Sequence, residues 1–200
     1  MSDKYSIDQD LREAKAMTDG LDRYLHDDQV YGTVTGGFFG NGNMPALTVG
    51  ALVMRLRRLH ALASGMTDAQ RKQLQDIQSK HDAVRTEWRY HYEQKMVREA
   101  NSRLDAMNAF FDECASDPAL CARVYSPEVL RRTTVQELLM VMDDLNVAHD
   151  DVTKKARLID SKLRRVIQPA SFVWSENLQS VYPDSQFWWM YNRPPEVKGR

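Results

Sequence analysis

Almost nothing in this chain builds a β-sheet. No stretch alternates apolar and polar positions over several β-branched residues, and no hairpin dipeptide sits between two such stretches. No run of about 18 apolar residues exists either, so no segment is expected to span a membrane. The opening residues, MSDKYSIDQDLREAK, hold no apolar core of a secretory signal. A cytoplasmic location with reduced thiols is the matching expectation. An excess of one charge sign is missing as well. Twenty-seven basic residues face 28 acidic ones, for a formal net charge of -1. No net field therefore steers the chain toward a nucleic acid or an acidic membrane.

Cysteine is nearly absent. Cys114 and Cys121 stand in CASDPALC, on either side of a turn containing Pro118. A disulfide across a helical hairpin fits that spacing, but a reducing compartment favours two half-buried free thiols.

Glycine and proline are missing altogether between Met66 and Asp117. Across that stretch Leu74, Ile77, His81, Val84, Trp88, Tyr92, Met96, Ala100, Leu104, Met107, Phe111 and Cys114 recur at three or four. Thr67 or Asp68 can cap its start. Exposed pairs, Arg89 with Glu93, Lys95 with Glu99 and Glu99 with Arg103, add a little support. As one helix the stretch would run roughly 70 Å, more than the width of a compact domain of this size. That implies a kink, with the stripe drifting over 94–101, an elongated molecule, or a second chain covering the excess.

The helical period continues on both sides. A first helix is expected from Ser6 or Ile7 to Asp27 or Asp28. A second, most buried one follows Pro45 and stops at Gly65. A region from Ser126 bends near Thr133, where Thr134 and Glu137 resemble a second helix start. A last helix places Val152, Ala156, Ile159, Leu163 and Val166 on one face. The fold class expected is all-α. It is an elongated bundle of about five helices with one very long central helix, a glycine-rich inter-helix loop and an aromatic-rich irregular C-terminal arm. The bundle is assigned to 1–168 and the arm to 169–200. The arm crowds Phe172, Trp174, Tyr182, Phe187, Trp188, Trp189 and Tyr191 between prolines. Rings left in water are unfavourable, so the arm must pack on the bundle or on a partner.

Five glycines fall in YGTVTGGFFGNGNMP, Tyr31 to Pro45. A phosphate loop needs a preceding strand and a lysine with Ser/Thr after the last glycine, and neither is here. The reading is a structural loop pinned by Phe38 and Phe39, with an anion at the helix N-terminus near Ala46 as the alternative. Glu87, His81 and His91 lack the two matched Glu-x-x-His motifs of a metal bundle, so no metal or other cofactor is expected. The basic groups RLRRLH and SKLRR, with Arg131, Arg132, Lys154 and Lys155, read as solvated helix faces before they read as a phosphate-binding surface. Arg55 and Arg58 lie on an otherwise apolar helix and need carboxylates, for which Asp10, Glu13, Glu87 and Glu137 are candidates. No nucleophilic constellation is evident.

The functional expectation is a non-enzymatic helical scaffold or adaptor. It acts through protein–protein contacts, as a homodimer and through the aromatic arm. The candidate partner- or ligand-binding residues are Arg55, Arg58, Trp88, Tyr92, Trp174, Trp188, Trp189 and Tyr191. Two alternatives are a nucleic-acid-associated subunit using the arginine-rich faces, and a small-molecule or metal-binding bundle with enzymatic activity.

Overall fold

The computed structural model describes residues 5–34, 44–114 and 116–195. Eight α-helices and one pair of two-residue strands make up its regular structure among the described residues, so the fold is all-α. No described helix is long and apolar enough to cross a membrane. The packing falls into two units. One is Ser6–Glu99; the other is the described part of Ala100–Arg200, with Tyr5.

In the first unit, α1 (Ile7–His26) begins at Ser6, whose hydroxyl accepts from the Gln9 amide. Leu11, Ala14, Met17, Leu21 and Leu25 bury one stripe at helical spacing. After α1 the chain turns, and Gly32 pairs its amide and carbonyl with those of Leu47, both at 2.9 Å. A Cβ on Gly32 would lie 2.7 Å from the Tyr24 ring, so only glycine fits at this approach. The glycine-rich loop with Phe38 and Phe39 falls mostly on 35–43, outside the described residues.

Helix α2 (Val49–Ala61) starts four residues later than Pro45 suggests. Thr48 is its cap, accepting from the Ala51 amide. A side-chain acceptor satisfies an orphan N–H that a proline start leaves open. A 3-10 turn at Ala63–Gly65 closes it. Thr67 and Gln70 then form a reciprocal capping box for α3 (Asp68–Glu87).

The long glycine-free stretch is two helices. Trp88 leaves the helical region (φ -110, ψ 35), and α4 (Arg89–Cys114) resumes after it. The break is at Trp88 and not within 94–101. No proline or glycine causes it; the indole sets its edge against His26 at the end of α1, 4.3 Å between ring centroids. Backbone bonds on both sides survive, Trp88 N–H to Val84 O and Tyr92 N–H to Trp88 O. Arg89 and Glu93 do pair at 2.7 Å. Lys95 and Glu99 are instead buried and serve other elements.

In the second unit, α4 ends in a turn and α5 (Pro118–Arg123) starts with Asp117 as cap. The turn brings the Cys114 and Cys121 Cα atoms to 5.3 Å, and their sulfurs are bonded. The expectation of free thiols is therefore corrected: it rested on compartment, whereas this turn sets the two residues at disulfide distance. Helix α6 (Tyr125–Asp144) is continuous. Thr134 starts no second helix, because its hydroxyl donates to the Leu130 carbonyl one turn back, at 2.8 Å. Helix α7 (Asp150–Val166) buries Val152, Ala156, Ile159 and Leu163. Lys155 reaches Asp105 at 2.6 Å, and Lys162 reaches Asp112, tying α7 to α4.

The arm closes on itself. Strand β1 (Gln168–Pro169) pairs antiparallel with β2 (Asn192–Arg193), Gln168 opposite Arg193. Between them lie a 3-10 turn at Glu176–Leu178, the short α8 (Asp184–Phe187) and a 3-10 turn at Trp188–Tyr191. Rings run edge to face from Trp174 through Tyr182 and Phe187 to Trp189. Trp189 anchors the arm on α6: its indole N–H donates to Thr133 Oγ1 at 3.0 Å, and Tyr125 Oη donates to the Trp189 carbonyl at 2.9 Å.

The disulfide closes a short loop, and short loops restrain the unfolded chain modestly. Replacing both cysteines by serine is expected to lower the unfolding free energy by about 2–3 kcal/mol relative to the oxidised protein. Denaturant titration checks this, with intact mass under denaturing conditions confirming the bond. Two free thiols in the native protein would contradict it.

Candidate functional site

Helix α2 places Arg55 and Arg58 inside the first unit, and each needs a counter-charge there. Arg55 Nη2 lies 2.6 Å from Glu13 Oε2, and its Nε donates to the same oxygen at 2.7 Å. Asp10 stands 3.7 Å from Arg55 and 3.6 Å from Arg58. Arg55 Nη1 also donates to the Ala51 carbonyl at 2.8 Å. All four side chains are buried. Of the four candidate carboxylates, Asp10 and Glu13 take the role, because α1 presents them one turn apart against α2. The arrangement is a cross-link between two helices.

A second buried charge holds the other end of α2. Glu99, with no exposure, accepts from the Gly50 amide at 2.8 Å. The Gly50 amide at this N-terminus is thus satisfied by the chain's own Glu99 side chain. One turn earlier on α4, Lys95 donates to the carbonyls of Asp27 (2.6 Å) and Gln29 (2.5 Å) and lies over the Tyr24 ring at 4.2 Å. Arg98 donates to the Asp28 carbonyl at 2.6 Å. Cations therefore close the C-terminal end of α1. Burial, then the neighbouring Arg98, push the Lys95 pKa down.

Tyr92 is wholly buried and pairs with His81, Oη to Nε2 at 3.0 Å. Burial, seconded by Arg85, lowers the His81 pKa to about 4, and burial raises that of Tyr92. His81 Nδ1 faces the Asp82 carboxylate at 3.3 Å. The neutral ring thus carries its proton on Nδ1 and accepts from the phenol at Nε2.

The elbow at Trp88 gathers rings on the outside of this unit. His26 and His91 lie 5.0 Å apart, Trp88 and His91 5.9 Å, and Tyr90 and His91 5.7 Å. Tyr90 is 68% exposed. The Trp88 indole N–H is buried and has no hydrogen-bond acceptor. Glu87 is exposed, and His81 and His91 serve different partners. Among the described residues no three His, Cys, Asp or Glu side chains converge for a metal.

In the second unit the arm's tryptophans hold arginines. Arg132 lies over Trp189 at 4.0 Å and forks onto Asp160 at 2.7 and 3.0 Å. Arg164 lies over Trp188 at 3.7 Å. Arg131 pairs with Glu128, whose pKa burial raises against that pairing. Arg131, Arg132, Lys154, Lys155 and Lys162 thus have carboxylate partners within the unit, while Arg164 stacks on Trp188. Of the expected site residues, Arg55, Arg58, Tyr92 and Trp189 are buried and used internally, while Trp88, Trp174, Trp188 and Tyr191 keep partial exposure. The sequence did not single out a cleft between α1 and α3, which joins Thr18 and Asp19 to Lys72 and Lys80; only the pairing of two helices brings these together. Comparison with protein-family models, with curated proteins and with solved structures finds no match.

Removing one partner strands the other. Glu13→Ala leaves Arg55 with the more distant Asp10 as its carboxylate and is expected to cost about 3 kcal/mol, whereas Glu13→Leu with Arg55→Met is expected to cost far less. Urea unfolding of both variants checks this ordering. His81 supplies a pH dependence. The unfolded chain takes up its proton near 6.5, the folded chain only near 4. Stability is therefore full above the higher value and falls between the two, by up to about 1.4 kcal/mol per pH unit. The stability difference between wild type and His81→Gln should shrink accordingly as pH drops, and a pH-independent difference would contradict the burial of a neutral imidazole.

Proposed function

We propose that the chain is a non-enzymatic helical scaffold that works through protein–protein contacts and self-associates as a dimer. The observation that supports this most is the elbow. Tyr90 stands out from the helix, and the half-buried Trp88 ring with His26 and His91 extends the ring surface. Tryptophan, tyrosine and arginine are the residues that concentrate binding energy at interfaces. Arg89 and Glu93, close in sequence to Tyr90 and His91, pair with each other on one face of the same helix. A two-fold arrangement can exchange these charges, Arg89 of one copy to Glu93 of the other, as an isologous contact requires. The occupant is thus a second copy of this chain.

The nucleic-acid reading gains less support, because Arg131, Arg132, Lys155 and Lys162 already have carboxylate partners. Sedimentation velocity over a concentration series tests the proposal. A monomer–dimer equilibrium in the micromolar range is expected. Tyr90→Glu should shift it toward monomer without lowering the thermal midpoint, since the ring is exposed. A chain that stays monomeric throughout, or a dimer indifferent to Tyr90→Glu, would overturn this reading.

A further inference from the structure

Helices α1 and α3 enclose a cleft of about 370 Å³, within the range of small-molecule sites. Its lining is mostly apolar and includes Ile77 and Ala69. Thr18, only 1% exposed, also lines the cleft, and its hydroxyl oxygen has no hydrogen-bond partner. A hydroxyl withdrawn from water and left unpaired is unfavourable, and natural proteins rarely tolerate one without a reason.

The rim is charged and unevenly satisfied. Asp19 accepts from Lys15 and from Lys80, each at 2.6 Å, so one carboxylate is shared by two ammonium groups. Burial would raise the Asp19 pKa, but the bonds from Lys15 and Lys80 outweigh it and hold the carboxyl below its ordinary range. Lys72 is exposed and makes no ion pair among the described residues. Three lysines and two aspartates, Asp19 and Asp76, line the cleft, which leaves one positive charge in excess.

We propose that this cleft binds a small amphipathic monoanion, an apolar body carrying one carboxylate. The body lies on Ile77. The carboxylate takes the spare charge of Lys72 and of Lys80, which shares the single Asp19 carboxylate with Lys15, and accepts the Thr18 hydroxyl proton. The excess of a single charge selects a monoanion over a phosphate ester. The apolar lining selects a hydrocarbon body over a sugar.

Calorimetric titration of the full chain with octanoate tests this, with octan-1-ol and inorganic phosphate as the body without the charge and the charge without the body. Octanoate is expected to saturate one site per chain and to bind at least about tenfold tighter than either control, the worth of one charge-assisted hydrogen bond. Thr18→Val keeps shape and removes only an unpaired hydroxyl, so it should fold as well as wild type and lose about tenfold in octanoate affinity. Lys72→Glu, on an exposed unpaired side chain, should abolish binding. Lack of saturable octanoate binding would overturn the proposal, as would phosphate binding equally well or Thr18→Val leaving the affinity unchanged. Self-association through Tyr90 is a separate matter, and either result can stand without the other.

Discussion

Helix α2 cannot be buried without its charges being answered. It is apolar around most of its surface, yet Arg55 and Arg58 lie inside with it. Removing them from water is favourable only if carboxylates come too. Asp10 and Glu13 on α1 do so, which fixes the rotation and register of α1 against α2. Glu99 then binds the Gly50 amide at the start of α2, and Lys95 and Arg98 bind the carbonyls beyond the end of α1. The first turns of α4 are in this way attached to the termini of two other helices. Tyr92 and His81 complete the contact on the side of α3. The unit is organised by charges at helix ends and between helices, around a modest aliphatic core.

The second unit uses a different device. Its aromatic arm is not a tail laid over helices but a closed loop, tied at its base by the β1–β2 pair and held to α6 by Trp189 near that base. Each half-exposed ring is given a partner, either another ring or a guanidinium. Arg132 joins three elements through this arrangement: its own helix, Asp160 on α7 and Trp189 of the arm. A basic cluster that reads as a surface in the sequence therefore acts as an internal clamp.

The helix periods were legible because apolar residues at three and four spacing leave little alternative. Ser6 and Thr67 were legible as starts because their side chains do what caps do. The break at Trp88 was not, since no residue there disfavours a helix; in the fold it coincides with the contact between Trp88 and His26. Lys95 and Glu99 were misread as an exposed pair because their spacing fits one. Only the arrival of two helix termini gives each a better partner. The disulfide is legible as a spacing across the Pro118 turn, but the compartment argument weighs against it, and only the closeness of the two residues in the folded turn decides for the bond. Arg55 and Arg58 are legible as charges in an apolar helix, and Asp10 and Glu13 as carboxylates within reach of them. The cleft residues carry no signal of their own, because Thr18 and Lys72 are ordinary until α1 and α3 meet.

The central functional claim is that the rings at the elbow form the surface on which two copies meet. Hydrogen exchange measured by mass spectrometry, comparing dilute with concentrated protein, addresses this directly. Peptides covering 86–93 and the end of α1 should gain protection as concentration rises, while those covering the α1–α3 cleft and α7 should not. Unchanged exchange at the elbow across that range, or protection appearing on α7 instead, would contradict the account.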